Sequence, residues 1–138
     1  HDLSLLIEIA DTIAVMYAGR VVERAEARAL FRSPRHPYTL GLLSSFPSLH
    51  GPRRRMTGIP GSPPDLRELP SGCVFHPRCG FVLDRCATAA PPLRPPPGGR
   101  GRVVACWLHD GAVSVPGPLA RPEPDRPEPE PDRIGSTL

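Results

Sequence analysis

The sequence has little material for a large hydrophobic core. Its aromatic residues are one tryptophan, two tyrosines and four phenylalanines among 138 residues. Proline and glycine are abundant instead, with 21 and 13 copies, and they are concentrated after Ser33. Any core is therefore small and mostly aliphatic, and a core of this kind often needs a metal or disulfides as a staple.

Lysine and long apolar runs are also missing. The 17 basic residues are all arginines, and the formal net charge is only +3, which is too mild to indicate a nucleic-acid partner. The one dense basic run, Arg53–Arg55, is interpreted as a solvated loop, with contact to an acidic surface or lipid headgroups as the alternative. No apolar run approaches the roughly 18–20 residues that span a bilayer.

The first third of the chain carries the clearest secondary-structure signals. The pattern predicts a short helix over residues 2–10, capped by Asp2. Two apolar runs, residues 12–18 and 20–25, predict a β-hairpin that turns at Gly19-Arg20. Two further helices are predicted over residues 27–33 and 36–46, the second with His36 at its start and a proline in its first turn.

The composition changes after this region. From Pro47 to Gly72 the prolines and glycines predict an extended loop, because neither a helix nor a central strand tolerates them. Residues 103–108, "VVACWL", predict a short strand, and Tyr38 and Trp107 are predicted to pack inside. Beyond Asp110 the unit PEPDR occurs twice, and this tail is predicted to be disordered or polyproline-like.

The four cysteines are the strongest chemical signal: Cys73, Cys79, Cys86 and Cys106. Structural zinc sites usually contain C-x2–4-C pairs, and none of these spacings is that short. Iron–sulfur clusters accept wider spacings, and four cysteines suit a cluster whose ligands are all thiolates. Three alternatives stay open: zinc with His76 or His109 in place of a cysteine, reduced thiols, and disulfides.

The residues around these cysteines fit a cluster. Gly72, Pro77 and Gly80 allow tight loops whose backbone N–H groups point at sulfur. Arg78 and Arg85 are placed to offset the negative charge of such a group.

Three ordered segments resemble a known family. "HDLSLLIEIADTIAVMYAGRVVE" resembles the end of an ABC-transporter nucleotide-binding domain, beginning at its His-Asp switch, the H-loop. "LFRSPRHPYTLGLLSSFP" resembles the oligopeptide/dipeptide-importer branch of that family. "IPGSPPDL", "PSGCVFHPRC" and "VACWL" resemble the C-terminal extension of the same branch. The resemblance covers roughly residues 1–110.

The resemblance implies an ATP-binding subunit of a peptide importer. In such a subunit the H-loop histidine, here His1, contacts the γ-phosphate of bound ATP/Mg and helps to position the attacking water. The implied partners are a second ATP-binding subunit, two transmembrane permease subunits and, indirectly, an extracytoplasmic peptide-binding protein. The implied place is the cytoplasmic face of the plasma membrane, where disulfides seldom persist. Members with this cysteine pattern are associated with a [4Fe–4S] cluster, so the resemblance assigns the four cysteines as its ligands.

The sequence departs from the family in what it lacks. It contains no G-x-x-x-x-G-K-[ST] loop, no LSGGQ-like signature and no hydrophobic strand ending in Asp-Glu. We therefore expect a C-terminal fragment that cannot hold ATP and is inactive alone. We also expect it to fold poorly, since Ile13, Val15 and Val21 would lack the packing surface of the missing sheet.

The predicted architecture is α+β with three parts. Residues 1–46 are the end of a P-loop NTPase α/β domain, residues 47–110 are the cysteine-containing extension, and residues 111–138 are the tail. The alternative function is a stand-alone, non-catalytic interaction module stapled by a cluster or zinc. A nucleic-acid-binding zinc protein is disfavoured, because the basic face and the usual cysteine spacing are missing.

Overall fold

The computed structural model describes residues 3–46 and 55–120. The predictions for His1 and for the tail beyond residue 120 lie outside these residues. The described chain is a small mixture of helix and sheet, in agreement with the predicted α+β class. Its helices and strands are α1 (Leu3–Ile9), β1 (Thr12–Tyr17), β2 (Arg20–Glu26), α2 (Ala27–Arg32), α3 (Pro37–Ser44) and β3 (Val103–Val104).

The hairpin is present with a turn one residue earlier than predicted. Strands β1 and β2 are antiparallel, with Thr12 opposite Glu26 and Tyr17 opposite Arg20. The two turn residues are therefore Ala18 and Gly19, which both have positive φ angles, 49° and 77°. Two successive residues in the left-handed region are what a tight hairpin turn requires, and glycine is the residue best suited to supply one of them.

The extension adds the third strand of the sheet. Strand β3 pairs antiparallel with β2, with Glu23 opposite Val104, and the strand order is β1-β2-β3. The predicted strand over residues 103–108 is shorter than expected, because Trp107–His109 form a 3-10 turn. Ala105 still donates its N–H to the Val22 carbonyl at 2.9 Å, so the chain leading to Cys106 stays attached to β2.

The core lies between the hairpin and the cysteine segment. Val15, Tyr17 and Val22 are buried in one cluster with Val74 and Phe75. The expectation that the hairpin lacks a packing surface is therefore wrong for this face, because the extension covers it. Ile13 and Val21 are half-buried, and Val22 rather than Val21 points inward since neighbouring residues of a strand face opposite sides.

Both short helices after the hairpin begin at side-chain caps. The Glu26 carboxylate accepts the N–H groups of Arg28 and Ala29 at the start of α2. The His36 ring accepts the Tyr38 N–H at 3.0 Å at the start of α3, which confirms the predicted role of His36. Capping and Pro37 together fix where α3 begins. Among the described residues, no helix is long and apolar enough to cross a membrane.

Candidate functional site

The four cysteines line one cavity. Cys73, Cys79 and Cys86 come from a single segment, and Cys106 enters from the chain that follows β3. The cavity is partly open and small, with a volume of about 10 Å³. All four cysteines are free, Cys86 is buried and the other three are half-buried. The structure thus brings together all four cysteines that the sequence predicted as one site.

The cysteine segment reaches this shape through its backbone. Gly72 has a φ of +70°, and the Cys73 N–H then donates to the Cys86 carbonyl at 2.8 Å. Two 3-10 turns, His76–Arg78 and Asp84–Ala87, reverse the chain between these ends. The backbone closes a loop that carries three of the cysteines.

Backbone N–H groups point at the sulfur atoms, as the sequence predicted. Phe81 donates to the Cys79 Sγ and Leu83 donates to the Cys86 Sγ, both at 3.4 Å. The sulfur atoms of Cys73 and Cys106 also interact with nearby backbone N–H groups. Hydrogen bonds of this kind stabilise negative charge on sulfur, and they are one of the means by which proteins tune iron–sulfur clusters.

Without a cation the site favours neutral thiols. Burial, reinforced by the neighbouring cysteines, raises the pKa of Cys79 to about 11 and that of Cys106 to about 12. Burial also raises the pKa of Cys73. Because a metal binds thiolates, any metal loaded here must displace these protons, and its binding must strengthen with pH.

The described residues show no preformed metal site. Within residues 3–46 and 55–120, no group of three or more His, Cys, Asp or Glu side chains is placed to hold one metal ion. A tetrahedral zinc ion draws its sulfur ligands close together, at about 2.3 Å from the metal. The four cysteines do not show this arrangement in the structure.

The two histidines considered as zinc ligands lie in different places. His76 lines the cavity, and its Nδ1 donates to the Cys73 carbonyl at 2.7 Å. His109 is buried and its Nε2 meets the Arg35 carbonyl at 2.6 Å, so this nitrogen is engaged by the backbone. Of these two histidines, His76 lies beside the cysteines and His109 does not line the cavity.

The two arginines predicted to offset negative charge have structural contacts. The Arg78 Nε donates to the Pro60 carbonyl at 2.8 Å, which holds the "IPG" loop against the cysteine segment. The Arg85 guanidinium stacks on the Trp107 ring, with its carbon 3.5 Å from the ring centroid, and pairs with Asp110 at 2.6 Å. Both side chains therefore brace the walls of the site, and Trp107 is buried as predicted.

The sequence did not predict the buried ion pair between Glu23 and Arg102. Glu23 on β2 is fully buried and accepts the backbone N–H groups of Arg35 and His36 at 2.8 and 2.9 Å. It also pairs with the Arg102 guanidinium at 2.8 Å. Strand β2 is thereby linked both to α3 and to the strand that precedes Cys106. A glutamate in "RVVERAE" looks like an exposed strand residue, so no local signal marks this role.

The buried histidines make stability sensitive to acid. Burial lowers the pKa of His36 to about 3, with a smaller contribution from His109, whose own pKa is also lowered by burial. The folded chain thus binds fewer protons than the unfolded chain between about pH 6.5 and 3, so stability is full above this window and is lost as pH falls through it. We expect His36 to reduce the free energy of unfolding by up to about 1.4 kcal/mol per pH unit there.

Urea denaturation between pH 7.5 and 4 measures this loss. The matched variant is His36→Gln, which carries no titratable ring and is expected to show a shallower slope than the wild type. Equal slopes for the two proteins would contradict a neutral, buried His36.

Comparisons with known proteins place these features in one class. Residues 22–86 match the family described as "Oligopeptide/dipeptide transporter, C-terminal region". This stretch contains most of β2, all of α3 and three of the four cavity cysteines. The HPYT helix and the cysteine segment thus lie in a stretch that is similar to this C-terminal region.

The relatives that this chain resembles are named for oligopeptide transport. The chain is 46% identical over 107 residues to the oligopeptide transport ATP-binding protein OppD of Escherichia coli, and 43% identical over 108 residues to OppD of Haemophilus influenzae. These matches cover 78% of this chain but only 31% and 32% of the relatives. OppD of Mycobacterium tuberculosis is 52% identical over 94 residues, which are 67% of this chain and 15% of that protein. The chain is thus similar to the C-terminal part of oligopeptide transport ATP-binding proteins, and it spans less than a third of the length of these relatives.

Proposed function

We propose that this chain is the C-terminal part of the ATP-binding subunit of a peptide ABC importer, which couples ATP binding and hydrolysis to peptide uptake. The similarity to the E. coli oligopeptide transport ATP-binding protein OppD, 46% over 107 residues, carries the proposal. The matched family region, residues 22–86, supports it independently.

In the complete subunit His1 would act as the H-loop histidine. It would hydrogen-bond the γ-phosphate of ATP and hold the attacking water, since phosphoryl transfer depends on positioning and charge stabilisation. The sequence given has no phosphate-cradling loop and no lysine, so ATP/Mg must be bound by other parts of the subunit. This chain by itself is accordingly proposed to be inactive as an ATPase.

The proposed partners follow from the transporter class. They are a second ATP-binding subunit, identical or paralogous, and two transmembrane permease subunits, with a peptide-binding protein acting on the far side. The chain would then work peripherally at the cytoplasmic face of the plasma membrane. The cysteine-containing extension would support contacts at that face.

A chimera tests the proposed function. This chain replaces the aligned C-terminal part of E. coli OppD, and peptide uptake is measured in cells that lack the native subunit. We expect uptake, and we expect His1→Ala to abolish it, because the hydrogen bond to the γ-phosphate is lost. His50→Ala is the control and should retain uptake. A chimera that assembles with the permease but supports no uptake would contradict the proposal.

We further propose that Cys73, Cys79, Cys86 and Cys106 bind a [4Fe–4S] cluster. The observation in support is that four free cysteines from two distant segments line one cavity and receive backbone N–H groups. The cluster would supply a covalently bonded staple between the cysteine segment and the chain after β3. Such a staple suits a proline-rich extension with a small core.

Anaerobic purification with iron, sulfide and zinc analysis tests the cluster. We expect about four irons and four sulfides per chain, with broad visible absorbance. Cys86→Ser and Cys106→Ser should each lose most of the iron, because each removes a thiolate ligand. The matched control is Val82→Ser, an exposed position in the same segment, which should retain it.

The other outcomes of this measurement are equally informative. One zinc per chain and no iron would overturn the cluster and make the extension a zinc module, with His76 as a candidate ligand. A folded chain without either metal would overturn the metal site altogether. A loaded, folded chain whose chimera supports no uptake would favour the stand-alone interaction module.

A further inference from the structure

The Arg85 side chain makes two contacts with the short stretch that follows Cys106. Its guanidinium carbon lies 3.5 Å from the centroid of the Trp107 ring, whereas cation–π contacts extend to about 6 Å. This distance places the guanidinium against the face of the ring, in the kind of stack that arginine forms and lysine does not. The Nη1 of Arg85 also donates to the Asp110 carboxylate at 2.6 Å.

These contacts join the two segments that carry the cysteines. Arg85 directly precedes Cys86, and Trp107 directly follows Cys106. The Trp107 indole N–H donates to the Ala89 carbonyl at 2.8 Å, and the Ala89 N–H donates to the Arg85 carbonyl at 3.0 Å. Both ends of the turn that contains Cys86 therefore hold the tryptophan that is next to Cys106.

Cys106 has more need of such contacts than the cysteines of the other segment. Cys73 and Cys86 are held in one loop by the bond between the Cys73 N–H and the Cys86 carbonyl. Cys106 follows a strand of only two residues and has extended backbone, with a φ of −152°. The Ala105 N–H, which donates to the Val22 carbonyl, attaches this part of the chain to β2 and not to the cysteine segment.

The contacts of Arg85 are partly shielded from water. The Trp107 residue is 7% exposed and the Asp110 side chain 9%, although the Arg85 side chain itself is 52% exposed. An ion pair between fully exposed side chains contributes little, because water competes for both charges. Here one partner is buried and the guanidinium also covers an aromatic face, so the arginine can hold the two segments together.

We propose that Arg85 is a positioning residue for the four-cysteine site: by stacking on Trp107 and pairing with Asp110, it holds the Cys106 segment against the Cys86 turn, so that cysteines from both segments face one cavity. The inference deepens the proposed cluster site and rests on it for its purpose. It goes beyond a contact in the wall of the cavity, because it makes the placement of Cys106 depend on Arg85.

The test compares Arg85→Ala with a matched control, Arg67→Ala. Arg85→Ala removes both the stack and the ion pair. Arg67 also pairs with an aspartate, Asp65, at 2.9 Å, but its side chain is 91% exposed and it does not line the cavity. Both variants therefore lose one arginine and one ion pair, and only Arg85→Ala releases the contact between the cysteine-bearing segments.

The first readout is the reactivity of the thiols and needs no metal. The reduced, metal-free full chain is treated with iodoacetamide under native conditions, and mass spectrometry gives the rate at each cysteine. We expect Arg85→Ala to raise the ratio of the Cys106 rate to the Cys73 rate several-fold, and Arg67→Ala to leave it unchanged. Loss of the positive charge alone would slow alkylation, because the thiolate is the reactive form, so a faster reaction reports release of the segment. An unchanged or lower ratio in Arg85→Ala would overturn the proposal.

The second readout is the fluorescence of Trp107, the single tryptophan of the chain. Removing the guanidinium uncovers one face of the ring, so quenching by acrylamide should be stronger in Arg85→Ala than in the wild type and in Arg67→Ala. Equal quenching in the three proteins would show that the stack does not cover the ring, and this result would also overturn the proposal.

Iron separates failure of this inference from failure of the cluster. From anaerobically reconstituted protein, a chelator should remove iron several-fold faster from Arg85→Ala than from the wild type; equal rates would overturn the role of Arg85 in the site. If the wild type binds no iron, the proposed cluster fails, and the alkylation ratio still decides whether Arg85 positions Cys106.

A milder substitution covers the case in which Arg85→Ala loses its circular dichroism signal. Arg85→Lys keeps the positive charge for Asp110 but has no flat guanidinium to stack on Trp107. The same ratio of the Cys106 and Cys73 rates then decides: a raised ratio in Arg85→Lys supports the proposal, and an unchanged or lower ratio overturns it.

Discussion

Replacing Glu23 by glutamine is expected to cost about 3–5 kcal/mol of the free energy of unfolding. The reason is that the Glu23 and Arg102 side chains are 0% and 1% exposed, so the substitution leaves a buried guanidinium without its counter-charge. The amide also loses one of the two oxygens that accept the Arg35 and His36 N–H groups. A loss of this size is comparable with the whole stability of a small domain. Urea denaturation followed by circular dichroism measures it.

The surface pair of Arg67 and Asp65 provides the matched control. It has nearly the same N–O distance, 2.9 Å, but its side chains are 91% and 51% exposed, so water replaces the lost contact. Asp65→Asn should therefore leave the denaturation midpoint unchanged. The double variant Glu23→Gln with Arg102→Met should recover part of the loss, because it removes the buried positive charge that Glu23 offset. A Glu23→Gln midpoint as high as that of Asp65→Asn would contradict the central role of the buried pair.

Replacing Gly72 by alanine is expected to disrupt the cysteine site and to cost about 3 kcal/mol or more. The φ of +70° is itself unfavourable by about 1–2 kcal/mol for a residue with a Cβ. The added Cβ would also overlap the Cys86 carbonyl and the backbone of Ala87, which cannot move aside like a flexible side chain. The bond between the Cys73 N–H and the Cys86 carbonyl should be lost, and with it most of the iron that we propose the site binds.

Gly80 offers the control within the same segment. It has no positive φ, and a Cβ added there would meet nothing within 4 Å. Gly80→Ala should change the free energy of unfolding by no more than about 0.5 kcal/mol and should leave the metal content unchanged. If both alanine variants loaded metal equally, closure of the loop at Gly72 would not be needed for the site. Measuring the metal and the stability of both proteins separates these outcomes.

Local signals predicted the elements well where the chain is apolar and regular. The hairpin, the three helices and the cap at His36 follow from β-branched runs, turn residues and Pro37, all of which act on their own neighbours. The errors are also local in origin. The turn shifted to Ala18-Gly19 and the last strand shortened to Val103–Val104, because strand ends are set by pairing with β2 rather than by propensity.

The prediction that the hairpin lacks a packing surface was wrong for a different reason. The sequence shows that Val15 and Val22 are apolar, but not that Val74 and Phe75, some fifty residues later, cover them. Contacts between segments so far apart in the chain leave no periodic pattern in the sequence. The buried Glu23–Arg102 pair was not predicted for the same reason, since each residue alone is of a type that is usually exposed.

By itself, the sequence determined the family, the identity of the four cysteines and the positions of most elements, since each depends on residue type and spacing along the chain. The tertiary structure alone decided that these cysteines share a cavity, that His76 and not His109 lies beside them, and that His36 lines the same cavity. The physical reason is that burial and hydrogen-bond geometry arise only when segments far apart in the chain pack together. In this protein the packing occurs on β2. The Val22 carbonyl holds the chain before Cys106, and the Glu23 carboxylate holds the start of α3.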